Sequence, residues 1–431
     1  MNILDTENIE AQEHDINVLH IVSGDLSGGA ARGAYWLHQA LKELGVKSHI
    51  LNTSSKDLND NSVCSISNTK WKRVKSILRS FLDRILLSFY RKRSGTIFSC
   101  GVVGFDITKT DMYKNADIIQ LHWVNDGFLN AKILQKINKP IVWTLRDMWP
   151  ITGGCHYSLD CELYTTGCGA CPQLASSFPF DLSYFLYRRK LKYFPNTVHV
   201  VGISKWMTDV AKKSKIFSGC TYETISNNVN CSYFKFLDKE KSRHLLGINT
   251  SKKIVLCGAT NINDFYKGFS FFLESLKYLN ADDVFLCFFG KIDQDIIKKT
   301  GFEFHEFGYL HDNIALNIVY SIADVFVAPS IQEAFGKTLV ESMSSGTPVV
   351  CFDATGPIDI VDHKVNGYKA KAFSSEDLAC GINWVLNAST CEFEALRVDG
   401  REKSLSCFDT NVIAKKYLTT YMNLLTPSSN R

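Results

Sequence analysis

The sequence predicts an α/β protein built from two doubly wound domains, each a parallel sheet with helices on both faces. Three observations carry that expectation: a length of 431 residues, two successive series of short apolar runs, and helical segments separating those runs. A chain of this length exceeds the roughly 100 to 200 residues of one ordinary domain, so two are expected. Short runs that are apolar throughout read as strands buried on both faces, and parallel strands need crossover helices between them.

The first series opens with a strand from Ile16 to Val22, a tight turn from Ser27 to Gly29, and a helix from Ala30 to Leu44 that ends at Gly45. The runs "ADIIQLHW", "PIVWTL" and "VHVVGIS" continue it. The second series begins near Lys252 with "KIVLCGA", "VFLCFFG", "ADVFVAPS" and "PVVCFD", alternating with the helical stretches "SFFLESLKYL" and "KTLVESMSS". We therefore expect a Rossmann-like N-terminal domain at 1–225, a second at 226–404, and a C-terminal helix in 405–431 that packs back on the first. Ligands of open parallel sheets sit outside the carboxyl ends of the strands, so the expected site is a cleft that the two domains face.

The net charge of +4 is too small for this length to argue for nucleic acid. The first fifteen residues are polar and acidic, without the basic start and apolar core of a secretory signal, and no run approaches eighteen apolar residues. A cytoplasmic location is expected, with the fourteen cysteines as thiols or metal ligands.

Residues 330–350, "SIQEAFGKTLVESMSSGTPVV", carry Glu333 and Glu341 eight positions apart across a glycine. With a helix starting near Gly336 or Lys337, Glu333 falls in the preceding loop and Glu341 about one turn in, where free amides and the helix dipole favour an anion. Two such carboxylates can hold hydroxyl groups on either side of a phosphate docked on the amides of Phe335, Gly336 and Lys337. Equally, both are favourable residues for a helix start. Gly28 and Gly29 would let amides approach a phosphate in the same way, or simply make the turn.

This stretch, followed by "DATGPIDIVDHKVNGY", resembles the signature of glycosyltransferase family 4, the retaining enzymes of GT-B fold. The resemblance implies that Glu333 contacts a donor sugar, that Glu341 binds the ribose hydroxyls of its nucleotide, and that Lys267, before Gly268 in "CGATNINDFYKGFSFFLESL", grips the donor diphosphate. A family arginine about six residues before that lysine is replaced here by Thr260 and Asn261, leaving Arg32, Arg146 and Lys337 as candidates to neutralise phosphate. In the first domain, "DIIQLHWVNDGFLN" and "KPIVWTLRDMWPITGGCHYSLDCELYTTGCGACPQL" resemble a bacterial subgroup that assembles surface polysaccharides. Many members have a histidine where this chain has Arg146, before Asp147; an arginine stays protonated and cannot be a base. His122 is either a substitute for that histidine or a satisfied structural one.

The loop 153–174 holds Cys155, Cys161, Cys168 and Cys171, a C-x5-C-x6-C-x2-C spacing that fits a closed structural zinc site, with free thiols as the other reading. Cys257, Cys287 and Cys351 lie in apolar strands and read as small core residues. In "KWKRVKSILRSFLDRILLSFYRKR", residues 70–93, Trp71, Val74, Ile77, Leu78, Phe81, Leu82, Ile85 and Leu86 recur at helical spacing among lysines and arginines. The pattern suits an interfacial helix drawn to anionic lipid, and equally a surface helix packed on its own domain.

The expected activity is transfer of a sugar, with retention and without a metal, from a UDP- or GDP-sugar to a hydroxyl of a lipid-linked or free glycan in surface-polysaccharide assembly. Glu333, Lys267, Arg146, Asp147 and His122 are the catalytic candidates. The alternatives are a nucleotide-sugar epimerase or hydrolase of the same fold, and a catalytically silent partner that binds nucleotide-sugar or lipid.

Overall fold

The computed structural model describes residues 15–26, 28–54 and 60–426. Most of the acidic N-terminal stretch, and Ser27 of the expected turn, lie outside them. The chain divides into two compact units. The first comprises Met1–Ile203, Met207–Asn228 and Thr410–Arg431, the second Ser204–Trp206 and Val229–Asp409.

The first unit carries β1 (Asn17–Val22), β2 (Lys47–Asn52), β3 (Val63–Ser65), β4 (Ile118–Leu121), β5 (Ile141–Leu145), β6 (Val198–Gly202) and β7 (Thr221–Thr224). They form one sheet in the order β3-β2-β1-β4-β5-β6-β7, and the pairings are parallel throughout. The order reverses between β1 and β4, the switch point at which a doubly wound sheet opens a crevice. Helix Gly29–Glu43 follows β1 and ends as expected: Leu44 is its C-cap and Gly45 takes φ +81°, a left-handed stop open to glycine. Helix Thr410–Leu425 joins this unit, burying Ile413, Leu418 and Tyr421 against Val18, Leu37 and Leu41. Its two buried tyrosine hydroxyls are satisfied, Tyr421 donating to Gln120 Oε1 (2.8 Å) and Tyr417 pairing with Thr144 Oγ1 (2.7 Å), whereas Thr410 Oγ1 is buried without a hydrogen bond among the described residues.

The second unit carries β8 (Lys253–Asn261), β9 (Val284–Lys291), β10 (Phe304–Glu306), β11 (Val325–Ala328), β12 (Val349–Phe352) and β13 (Gly367–Ala370). Their order is β10-β9-β8-β11-β12-β13, again parallel, with the reversal between β8 and β11. Val255, Leu286, Phe288, Val327 and Val350 pack on Phe272, Leu378 and Ile382 of the flanking helices. Cys257, Cys287 and Cys351 are 0–1% exposed, the small core residues expected.

The unit boundaries fall at 228/229 and 409/410, not at 225/226 and 404/405. The ends of the second unit are bonded to each other there, Val229 bridging Asp409 and donating to Phe408 O at 2.9 Å. Among the described residues no helix is long and apolar enough to cross a membrane.

Candidate active site

The strongest convergence of expected residues lies in the second unit, at the carboxyl ends of β8 and β11, the two strands that flank its switch point. β8 leads into a tight turn at Phe265–Lys267, closed by Gly268 at φ +67°. A Cβ at Gly268 would collide with the Pro329 carbonyl of the loop after β11. Glycine is needed twice over, for its conformation and for that close approach. The Ile331 amide then donates to Tyr266 O at 2.8 Å, locking the two loops together.

That lock sets Lys267 Nζ 2.6 Å from Glu333 Oε2, each side chain about one-fifth exposed. Ser330 Oγ also donates to Glu333 Oε2 (3.3 Å), and the Glu333 backbone bonds Thr355 Oγ1 (3.1 Å) and Gly356 N (2.9 Å) of the loop after β12. A cation and an anion are thus presented side by side where a polar ligand of this sheet class binds.

Helix Lys337–Ser344 begins at Gly336, φ +110°, with no side-chain cap at its start. Phe335 is buried, edge-on to Phe408. Glu341 lies one turn in, as expected, but it is 4% exposed, accepting from Tyr320 OH (3.1 Å) and facing Lys337 Nζ (3.5 Å). A hydroxyl ligand at Glu341 would compete with groups already in place.

In the first unit the structure joins Arg146, at the end of β5, to His122, at the end of β4. Arg146 donates to Asn227 Oδ1 and lies 3.4 Å from His122 Nδ1, while His122 Nε2 is 2.9 Å from His20 Nδ1. Arginine only donates, so His122 Nδ1 accepts, Nε2 carries the proton toward His20, and the His20 proton falls on its own Nε2. Burial, and the charge of Arg146, push both imidazoles well below their ordinary pKa. His122 is therefore neutral but has no free acceptor nitrogen in this arrangement, which fits a structural histidine better than a base. Gly33, in the helix after β1, makes the room: a Cβ there would lie 2.7 Å from Arg146 Nη1.

Asp147 is not part of this group. Its carboxylate accepts from Trp149 N (2.8 Å) and pairs with His156 Nδ1 (2.6 Å), whose Nε2 meets Ser99 Oγ (2.9 Å). This buried chain fastens the start of the cysteine-rich loop. Gly28 is the N-cap of helix Gly29–Glu43 in an ordinary extended conformation, and a Cβ at Gly28 or Gly29 would meet nothing within 4 Å. Neither glycine is demanded by packing or by backbone angle, so both leave the helix start open.

Cys155, Cys161, Cys168 and Cys171 line one small cavity, with Phe98 and Tyr164 beside them. None of the four is joined in a disulfide. Among the described residues, no three His, Cys, Asp or Glu side chains form a group arranged to hold a metal ion. In helix Lys70–Arg84 the only buried residue is Asp83, which accepts from the amides of Gly101, Val102 and Val103 at 3.1, 2.7 and 3.2 Å. Of the eight apolar residues noted in the sequence, all except Leu86 are exposed, from 39% at Leu82 to 79% at Trp71. The helix turns its apolar stripe outward.

Sequence reasoning missed His20, Gly33, Asn227, Tyr320 and Thr355. Each lies at least 21 residues along the chain from the residue it serves.

Two parallel, doubly wound units of this strand order define the GT-B class of glycosyltransferases. Residues 238–399, within the second unit, match the family described as glycosyl transferases group 1. Over 95% of its length the chain is 26% identical to the putative colanic acid biosynthesis glycosyl transferase WcaC of Escherichia coli, covering all of that protein. It is also 26% identical over 218 residues, 49% of this chain, to the N,N'-diacetylbacillosaminyl-diphospho-undecaprenol alpha-1,3-N-acetylgalactosaminyltransferase of Campylobacter jejuni. It spans 55% of that relative's length, and 36% of an uncharacterized glycosyltransferase of Methanocaldococcus jannaschii (28% identity over 39% of this chain). Among solved structures, Anabaena HepE in complex with UDP-glucose superposes with a TM-score of 0.64 at 16% identity, covering 94% of this chain and 99% of that one. The chain is thereby a relative of glycosyltransferases named for bacterial polysaccharide biosynthesis.

Proposed function

We propose that the protein is a retaining glycosyltransferase that moves a sugar from a UDP- or GDP-sugar to a hydroxyl of a lipid-linked polysaccharide intermediate. The observation that carries this reading is the Lys267–Glu333 pair, 2.6 Å apart across the switch point of the second sheet. Lys267 exchanges its carboxylate partner for the donor diphosphate, and Glu333, released, takes hydroxyls of the sugar. Glu341 receives the ribose. The bond from the anomeric carbon to the phosphate oxygen breaks, the bond to the acceptor oxygen forms on the same face, and the acceptor proton passes to the departing phosphate. Lys267 and the amides heading helix Lys337–Ser344 stabilise the charge that develops there. Transfer then needs no divalent ion.

The named relatives support the donor and acceptor classes: the Anabaena protein holds UDP-glucose, and the Campylobacter enzyme is named for a diphospho-undecaprenol acceptor. A panel of UDP-, GDP- and ADP-sugars, scored by thermal shift with and without EDTA, tests the donor site. One donor should stabilise the wild type in EDTA and lose its effect in Glu341→Ala. Release of free sugar without acceptor would favour a hydrolase, and binding without any turnover a silent partner.

A lipid-linked acceptor brings the enzyme to a membrane, and the outward apolar face of helix Lys70–Arg84 among its basic residues supports peripheral contact there. The four cysteines are proposed as a structural zinc site once the loop draws their sulfurs inward. One equivalent of zinc in the purified protein, lost in Cys168→Ser, is expected, and zinc-free protein with unchanged stability sinks the idea.

A further inference from the structure

We propose that the aromatic ridge at residues 178–185 is a second lipid-contacting element, which together with helix Lys70–Arg84 seats the first unit on an anionic membrane at two points. The inference rests on the peripheral-membrane reading above and extends it to a surface outside the helix.

Phe178, Phe180 and Phe185 are 61%, 53% and 59% exposed. Their rings do not enter the core. Phe178 meets Phe180 edge to face at 5.9 Å, Phe180 meets Tyr184 at 5.1 Å, and Tyr184 meets Phe185 at 5.5 Å, a continuous row on the surface. Three large aromatic rings in one exposed row are more than the scattered apolar residues of an ordinary surface.

The row is held from beneath. Asp181, 3% exposed, caps helix Leu182–Tyr193 by accepting from Tyr184 N (3.2 Å), and also accepts from Cys171 N (2.7 Å) and Ser183 Oγ (2.6 Å). Ala170 N donates to Phe178 O at 3.0 Å, and a side chain at Gly169 would strike the Pro179 carbonyl. The cysteine-rich loop therefore presents the ridge as a built feature.

The ridge is also continuous with the amphipathic segment. Leu182 N donates to Tyr90 OH at 3.0 Å, and Leu87 shares one buried cluster with Leu182 and Leu186. Phe89, 81% exposed, stands between those two anchors in sequence. The charge on both parts is one-sided. Residues 70–93 hold nine lysines and arginines and one acidic residue, Asp83, which is buried; residues 178–193 hold Arg188 and Lys192 exposed and one acidic residue, Asp181, also buried. Exposed aromatics ringed by cations fit a lipid interface with anionic headgroups, where rings sit at headgroup level and basic side chains meet phosphate. A two-point seat fixes the rotation of the first unit on the bilayer, which one helix cannot do.

Flotation of the full chain with vesicles of phosphatidylcholine, with and without phosphatidylglycerol, tests this. The wild type should float only with phosphatidylglycerol, and less in high salt. Changing Phe178, Phe180 and Phe185 together to serine should lower partitioning about tenfold, as should changing Trp71, Phe81 and Phe89. A second ridge variant with all three phenylalanines changed to tryptophan should bind at least as well as wild type, which separates lipid contact from a folding defect. If the serine ridge variant floats like wild type while the helix variant does not, the ridge proposal falls and the one-helix reading stands. If the wild type does not float, both fall. A dimer without vesicles that the serine ridge variant abolishes would assign the ridge to a second copy and overturn the proposal.

Discussion

Lys267 is held by Glu333 within the chain, so a bound diphosphate has to displace a carboxylate 2.6 Å away. Burying most of both side chains costs desolvation that offsets their attraction, while the one-fifth still exposed lets water reach either group, so the pair itself adds little net stability. Lys267→Met should therefore cut kcat by about 10²- to 10³-fold while leaving the melting temperature nearly unchanged; initial rates and a thermal melt on the same sample check both halves. Two glycines make a sharper contrast. Gly33→Ala places a Cβ 2.7 Å from Arg146 and should cost about 1–3 kcal/mol in urea unfolding, whereas Gly28→Ala, with nothing within 4 Å, should stay within about 0.5 kcal/mol. The lysine and the two glutamates were legible because they follow strands that the sequence announces. Gly33 and Asn227, which serve Arg146, and His20, which serves His122, were not, because they meet those partners only in the fold.

Among the elements, helix Lys70–Arg84 inverts the usual logic of an amphipathic helix. It is fastened by Asp83, whose carboxylate takes three amides, and by an Arg84–Asp126 ion pair at 2.5 Å, while its apolar stripe faces out. Burial nevertheless raises the Asp83 pKa. Asp83→Ala leaves three amides without their acceptor and should cost at least about 2 kcal/mol. Trp71→Ser removes an exposed ring and should change stability by less than about 0.5 kcal/mol. Paired urea titrations decide between them; the reverse order would mean that the stripe is the packed face. Periodicity could show that the stripe exists but not which way it points. The five strands that no apolar run announced include β3, β7, β10 and β13, the outer strands of the two sheets. Edge strands are short and paired on one side, so they need no continuous apolar run.

For the whole molecule, three of the imidazoles buried in the first unit, His20, His38 and His122, are each pushed down by desolvation, His38 to about 4. The native state excludes protons that the unfolded chain binds below its ordinary histidine pKa of about 6.5. Stability is therefore complete above that value and is lost as pH falls from 6.5 toward 4 and below, by up to roughly 1.4 kcal/mol per pH unit for each histidine. Urea midpoints at pH 7 and pH 5 should differ, and His38→Gln, which can still bond Ser48 and Ser62, should flatten the slope. An unchanged slope would mean that these rings are protonated in the folded state.

The sequence alone determined the two doubly wound units, the strands on either side of each switch point, and the places of Lys267, Glu333 and Glu341 in the loop after a strand or at a helix start. Those features are local: an apolar run, a helix start and a tight turn are each written in a few neighbouring residues. The tertiary structure alone decided that Lys267 and Glu333 form an ion pair, that Arg146 occupies the acceptor nitrogen of His122, that Asp147 anchors a loop, and that the basic helix faces outward. Each of those depends on which of several polar partners lies within about 3 Å once distant segments pack, and a linear pattern does not encode that distance.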